Sequence, residues 1–285
     1  MNRTVYVNGD FVAEDRAVVS VFDRGFLMAD GVYEVTAVID GKLVDFHGHT
    51  QRLERSLGQL DMQNPLNQNQ WLDLHRELVR LNDLQAGIVY IQVTRGNPGD
   101  RDFRFPNETR PTVIGFTQSK PDLASESAFA SGWRVISVPD LRWKRRDIKT
   151  TQLLYPCMGK MMALQAGADD AWFVEDEMVT EGTSNNTYII LDHSLVTRPV
   201  SHALLSGITR AAILQFAESQ ELEVQLRPFS IAEAQSANEA FVTSASALVV
   251  PVVEIDGQPI GTGRPGPIAQ RLRAYYIQEM RAAAI

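Results

Sequence analysis

Five lysines, Lys42, Lys120, Lys144, Lys149 and Lys160, stand against 22 arginines in this chain of 285 residues. An arginine keeps its proton at any working pH and cannot condense with an aldehyde, whereas a lysine in a partly desolvated, cation-rich pocket can lose its proton and do so. Lys149 follows Arg145 and Arg146 in R-W-K-R-R-D-I-K-T-T-Q-L-L (Arg142 to Leu154) and meets that requirement; a solvated basic turn is the other reading of such a run. Lys160 is the second candidate, placed beside Met161 and Met162 in a helix-like stretch that would turn it to solvent. Further on, V-T-E-G-T-S-N-N (Val179 to Asn186) sets Glu181 in a turn, where Thr183, Ser184 and Asn185 supply hydroxyls and an amide. Ser206-Gly207-Ile208-Thr209 precedes a helical pattern, so its backbone amides and the Thr209 hydroxyl form an anion site at the positive end of a helix dipole. An N-cap role for Ser206 is compatible with that reading.

The elements that position these residues follow from periodicity and turn chemistry. Thr4 to Val7 and Phe11 to Ala13 flank Asn8-Gly9, a strong hairpin signal, and Val32 to Ile39 and Leu43 to Phe46 flank Asp40-Gly41 as a second. Helical spacing covers Arg52 to Met62 and Gln70 to Leu84, and strands follow at Ile88 to Thr94 and Thr112 to Thr117. A small, polar stretch at 119–132 reads as a linker between a smaller α+β domain, 1–118, and a larger domain, 133–285, that carries Lys149. In the second half strands are expected at Trp133 to Val138, Ala171 to Val174, Tyr188 to Leu191, Glu223 to Arg227, Glu239 to Thr243 and Val252 to Ile255. Helices are expected at Pro156 to Ala166, Gly207 to Gln220 and from Pro267 onward.

Composition narrows the functional classes. A chain of this length exceeds one core, so two subdomains are the default. A formal charge of −8 argues against a general nucleic-acid surface, which needs a basic stripe. No apolar run approaches the roughly 18 residues of a membrane span, and the start has no signal-peptide core, which points to a cytoplasmic setting. Cys157 is the single cysteine, so neither an intrachain disulfide nor a cysteine zinc site is possible. His47 and His49 lack acidic or cysteine partners at ligand spacing, so no metal is expected. Gly261 to Gly266 fits G-x-G-x-x-G, yet too little chain follows for a second strand of a βαβ unit, and a plain loop is expected.

Four motifs, D-R-G-F-L-M-A-D-G-V-Y-E-V (Asp23 to Val35), H-T-Q-R-L (His49 to Leu53), D-I-K-T-T-Q-L-L and T-E-G-T-S-N, occur in an order that resembles the fold-type-IV pyridoxal-phosphate enzymes over nearly the whole chain. Within that class the chain is most similar to the D-amino acid transaminases. The resemblance implies their two-domain α+β / α/β fold, pyridoxal 5′-phosphate as cofactor, and a homodimer with a shared active site. It makes Lys149 the covalent attachment point and Glu181 the partner of the protonated ring nitrogen, with Thr183, Ser184 and Asn185 around the ring. It assigns Arg52 to the cofactor phosphate, along with Gly207, Ile208 and Thr209, and adds Leu205, Ser244 and Ala245 to the cofactor contacts. Ala245 stands where a hydroxyl residue is frequent in the family.

The substrate end of the resemblance rests on Tyr33, Val35 and the loop R-G-N-P-G-D-R-D-F-R-F-P (Arg95 to Pro106), which in D-amino acid transaminases reaches over from the neighbouring subunit as a carboxylate trap. Arg101 takes the family's arginine position and Phe103 its histidine position; the loop is one residue longer, so Arg104 can substitute in a shifted register. The implied reaction moves an amino group from a D-alanine-type substrate to a 2-oxo acid such as 2-oxoglutarate or pyruvate, with Lys149 as general base and acid. Rivals on the same fold are (R)-amine transaminases, branched-chain transaminases, which usually carry arginine at the position of Ala37, and aminodeoxychorismate lyases. A non-catalytic scaffold would not need both Lys149 and Glu181.

Overall fold

The computed structural model describes residues 3–125, 127–219 and 222–285, and the chain divides into two compact units. One comprises Met1–Leu123, Ile148–Gln152 and Ala283–Ile285, the other Ala124–Asp147 and Leu153–Ala282. By sequence Lys149 lies in the 133–285 half; by packing its segment lies with the first unit. Ile148 is buried in a core cluster with Val32, Leu53 and Leu57, and Thr150 bridges Val32.

The first unit is built on an antiparallel sheet. Strands β1 (Thr4–Val7), β2 (Asp10–Ala13), β3 (Gly31–Ile39), β4 (Lys42–Leu43), β5 (Ala86–Thr94) and β6 (Thr112–Ser119) run in the order β2-β1-β6-β5-β3-β4. Asn8 and Gly9 take φ of 53° and 118°, as the tight hairpin turn requires. Strand periodicity buries Val32, Glu34, Thr36 and Val38 on one side of β3, while Tyr33 and Val35 on the other are half-buried. Helices α1 (Arg24–Met28), α2 (Phe46–Gln59) and α3 (Gln68–Leu81) complete the unit, and Leu53 and Leu57 of α2 share its core with Trp71, Leu74 and Leu78 of α3.

Three expectations need correction here. The strand expected over Leu43 to Phe46 ends at Leu43, because Asp45 adopts φ 53° and Phe46 opens α2. The helix expected from Arg52 to Met62 therefore starts six residues earlier and stops at Gln59, where Asp61, at φ 52°, follows the last turn. The second helix begins at Gln68, two residues early, since Asn67 and Gln70 form a capping box.

The second unit holds a mixed sheet: β7 (Trp133–Pro139), β8 (Asp170–Glu175), β9 (Met178–Gly182), β10 (Asn186–Leu191), β11 (Ser194–Thr197), β12 (Glu223–Leu226), β13 (Glu239–Ser244), β14 (Leu248–Ile255) and β15 (Gln258–Pro259). Its order is β12-β11-β10-β13-β14-β7-β8-β9, with β15 on β14. Helices α4 (Leu154–Gln165), α5 (Ile208–Ser219), α6 (Ile231–Gln235) and α7 (Pro267–Ala283) accompany it. The expected end of α5 at Gln220 lies outside the described residues. Glu181, expected in a turn, sits in strand β9, because the tight reversal comes earlier, at Asp176-Glu177, both at positive φ. The glycine run before α7 serves that helix: a Cβ on Gly266 would lie 2.0 Å from Cδ of Glu239, whose carboxylate accepts the amides of Ile268 and Ala269 at 2.9 Å each. Among the described residues no helix is long and apolar enough to cross a membrane.

Candidate active site

Lys149 is placed by its backbone. Its carbonyl accepts the Tyr33 amide at 2.9 Å, Thr151 donates its amide to the Gly31 carbonyl at 3.0 Å, and the Thr151 hydroxyl reaches the Ala29 carbonyl at 3.0 Å. Two sequence motifs, D-G-V-Y-E-V and D-I-K-T-T, are thereby laced into one ladder. Gly31 must be glycine there, since a Cβ would come within 2.9 Å of the Val93 carbonyl oxygen. The Lys149 Nζ lies 4.3 Å from the centroid of the Tyr33 ring, which stacks on Tyr90 at 5.4 Å; Tyr90 in turn stacks on Phe116 at 4.7 Å. Val35, one step further along the same side of β3, pairs in register with Tyr90.

Glu34 points from β3 to the opposite, buried side and meets Arg52 and His49 of α2. Arg52 donates Nε to Oε1 at 2.7 Å and Nη2 to Oε2 at 2.8 Å, and His49 Nδ1 lies 2.8 Å from Oε2. Burial pushes the Glu34 carboxyl up, but the Arg52 charge and the hydrogen bonds from Arg52 and His49 win and hold it far below the usual carboxylate range. Arg52, expected as a phosphate ligand, therefore has two of its donors on a carboxylate of its own unit. His47, next to these, bonds Gln68.

The loop after β5 is anchored at its ends and exposed in its middle. Arg95 is buried on Asp30 through Nε at 2.8 Å and Nη2 at 3.1 Å, and its guanidinium covers the Phe105 ring at 3.9 Å. Arg24 also binds Asp30, at 2.6 Å, and donates Nη1 to the Asp102 and Arg104 carbonyls. Between these anchors Arg101 packs over Phe103 at 4.8 Å, and Arg104 pairs with Asp102. Phe103 is 77% exposed, so this part of the loop has apolar surface to spare.

Glu181 sits in a chain of charges wholly inside the second unit. Arg142 donates Nη1 to Glu181 Oε1 at 2.6 Å while Nε and Nη2 grip Asp140 at 2.9 and 2.7 Å. Thr180 donates to the same Asp140 at 2.6 Å, and Arg146 lies 3.4 Å from it while pairing with Glu175 at 2.9 Å. The other oxygen of Glu181, Oε2, accepts the Leu205 amide at 3.1 Å and the Asn186 side chain at 3.4 Å. Burial raises the Glu181 carboxyl above its ordinary value, opposed by the Arg142 charge and hydrogen bond and by the Leu205 amide. Arg145 and Arg146, read from the sequence as a cation-rich setting for Lys149, are both paired with carboxylates: Arg145 with Asp147, and Arg146 with Asp140 and Glu175. Lys160, the second lysine candidate, donates to the Asp169 carbonyl and lies 3.5 Å from Asp170.

The residues after Glu181 brace the turn. Thr183 and Asn185 both donate to the buried Asp170 carboxylate, at 2.5 and 2.7 Å, and a Cβ on Gly182 would collide with Asn185. Asn185 Oδ1 is buried with no hydrogen-bond partner among the described residues. Gly207 allows the same closeness to Asn186, whose side chain also bonds the Leu205 carbonyl at 2.9 Å. Leu205, Gly207, Ile208 and buried Thr209 thus lead into α5 beside Glu181, and first-turn amides have no helical carbonyl to satisfy them. Ser244 closes β13 with its hydroxyl 3.5 Å from Ser246, and Ala245 follows in the turn.

These residues fit the cofactor that the resemblance implies. A carboxylate oxygen accepts two donors, and Glu181 Oε1 has one among the described residues, so a ring N–H can take the second. The α5 terminus offers amides to a phosphate. Arg142, Asp140, Asn186 and Glu34 escaped the sequence reading as site residues. For Glu34 a signal was there: a carboxylate on the core side of a strand demands a buried cation.

Comparison with known proteins places the chain. Residues 31–255 match the family described as amino-transferase class IV. The chain is 36% identical to the D-alanine aminotransferase of Staphylococcus haemolyticus, over 94% of its own length and 95% of that protein's. It is 35% identical to the D-alanine aminotransferase of Bacillus licheniformis, over 94% of each. Among solved structures, the branched-chain aminotransferase of Thermoproteus uzoniensis with norvaline covers 99% of this chain and 96% of its own, with a TM-score of 0.86 at 23% identity. The branched-chain amino acid aminotransferase of Escherichia coli reaches 0.88 at 20% identity, covering 98% and 95%. At such identities these two structures establish the shared fold.

Proposed function

This chain belongs to the class IV aminotransferase family, and we propose that it moves an amino group from a D-amino acid of the D-alanine type to a 2-oxo acid such as 2-oxoglutarate or pyruvate. The observation that carries the reading is the full-length likeness to D-alanine aminotransferases. Pyridoxal 5′-phosphate, when bound, supplies an aldehyde that captures amines and a conjugated ring that takes up electrons from the substrate Cα. Lys149 Nζ would hold the cofactor covalently and, when freed, would act as the base that takes the proton from the substrate Cα and as the acid that returns it. Glu181 Oε1 would accept the ring N–H and keep that proton in place. The amides of Gly207, Ile208 and Thr209, with the Thr209 hydroxyl and Arg52, would bind the phosphate; Thr183 and Asn185, braced on Asp170, would border the ring with Ser184, and Ser244 and Ala245 would adjoin it. Mixing the loaded enzyme with D-alanine, L-leucine and (R)-1-phenylethylamine in single-turnover absorbance experiments tests the substrate class. D-Alanine is expected to change the cofactor spectrum fastest; a faster response to L-leucine sinks the reading.

Carboxylate recognition falls to Tyr33 with Arg101 or Arg104. Arg104 is already paired with Asp102, so Arg101 is the better candidate. A charge-assisted hydrogen bond contributes about 1.5–3 kcal/mol, so Arg101→Ala is expected to lower kcat/KM for D-alanine roughly ten- to a hundred-fold, with Arg104→Ala milder and an amine lacking a carboxylate little affected. Full activity in both variants would show that the carboxylate is held elsewhere. A cytoplasmic homodimer, in which the 95–106 loop of one subunit completes the site of the other, belongs to the same proposal. Exposed Phe22, Phe26 and Phe103 in the first unit support pairing, and sedimentation equilibrium at micromolar protein tests it.

A further inference from the structure

Among the contacts of Glu181, the one with Arg142 is built differently from the rest. Its two other donors, the Leu205 amide and the Asn186 side chain, both reach Oε2, so among the described residues Oε1 depends on Arg142. Arg142 has little freedom of its own. Asp140 takes Nε on one oxygen and Nη2 on the other, the guanidinium lies over the Phe173 ring at 4.5 Å, and Asp140 is itself held by Thr180 and neighboured by Arg146. A planar fork gripped on two donors can present the remaining Nη1 in one direction only. The charged groups bearing on Glu181 are thus Arg142 directly and Asp140 behind it, with Arg146 and Glu175 further along the same chain.

We propose that Arg142, fixed by Asp140, is a positioning residue that keeps Glu181 a carboxylate with Oε1 aimed at a cationic nitrogen heterocycle. The inference rests on the assignment of Glu181 to the cofactor ring given above. Burial alone favours the neutral acid, which would donate a proton to a ring nitrogen instead of holding one there. Arg142 opposes that by charge at 2.6 Å, and Asp140, by absorbing most of the guanidinium's hydrogen bonding, leaves the second acceptor site of Oε1 open.

The experiment follows the Glu181 carboxyl in cofactor-free protein by infrared difference spectroscopy against Glu181→Gln, across pH, in the parent and in Arg142→Met, Arg142→Lys and Asp140→Asn. An opposite charge within about 6 Å moves a carboxyl by roughly 1–3 pH units, so the protonation midpoint is expected to rise by about one unit or more in Arg142→Met. Arg142→Lys, which keeps the charge without the fork, should return most of that shift. Its half-reaction should nevertheless stay slow, with kcat lowered more than KM. If Arg142→Met does not fold, Arg142→Lys and Asp140→Asn carry the test through the same split. A Glu181 midpoint unmoved in Arg142→Met, or a parent-like half-reaction in both Arg142→Lys and Asp140→Asn, overturns the inference. Parent protein that gains no cofactor absorbance when pyridoxal 5′-phosphate is added overturns the functional assignment instead, and the two failures are read from separate measurements.

Discussion

Lys149→Ala is expected to lose the transamination half-reaction while retaining the fold. General acid–base catalysis by one positioned side chain is worth about 10²- to 10⁴-fold, and Lys149 is assigned the covalent attachment as well, so a loss at or beyond the upper end is expected. The segment around Lys149 is held mainly by backbone contacts to Ala29, Gly31 and Tyr33 and by the buried Ile148 side chain, none of which the substitution removes. The contact of Nζ with the Tyr33 ring is of a kind worth about 0.5–1 kcal/mol at exposed sites and about 2 when desolvated, so its loss should leave the protein folded. Borohydride reduction of the loaded parent should fix the cofactor on the peptide carrying Lys149. Lys160, tied to Asp169 and Asp170, should stay unlabelled. Label on Lys160, or near-parent turnover in Lys149→Ala, removes the assignment.

How far the sequence could be read depended on whether the deciding force was local. Asn8-Gly9 declares its hairpin because the residues that tolerate positive φ are the turn itself, and β5 and β6 declare themselves by composition and alternation. The start of α2 was hidden because Asp45, a single left-handed residue, ends a strand whose apolar pattern continues into Phe46. Glu181 looked like a turn residue because Gly182 to Asn185 are turn formers; its strand is fixed by pairing with β8, a tertiary fact. The packing of Lys149 against β3, more than a hundred residues away, likewise leaves no local trace beyond the two motifs it joins. The Arg142 to Lys149 run shows the limit for electrostatics. Its positive charge is plain in the sequence, but Asp140, Glu175 and Glu181 neutralise Arg142 and Arg146 from outside the run, so counting neighbours along the chain misjudged the field.

Arg52→Met is expected to cost stability before it costs anything in catalysis. Removing one partner of a buried, hydrogen-bonded ion pair leaves the other charge without compensation, at about 3–5 kcal/mol, and Glu34 would keep His49 as its side-chain partner. The pH dependence carries the sign. In the parent the Glu34 carboxyl lies far below its ordinary value of 4.5, so its pairing contributes stability in full above that value and loses it as pH falls through the folded-state value. In Arg52→Met burial acts on Glu34 with less opposition and raises its carboxyl, so this group should then make the protein less stable as pH rises from about 4.5. Chemical denaturation of cofactor-free protein between pH 4 and 8 separates the two slopes. Replacing both residues, as in Arg52→Met with Glu34→Leu, should recover part of the loss, because apolar side chains of similar volume tolerate a site that a lone carboxylate does not. If cofactor-free Arg52→Met matched the parent in stability and differed only in cofactor retention, the guanidinium would belong chiefly to the phosphate and its bond to Glu34 would be incidental.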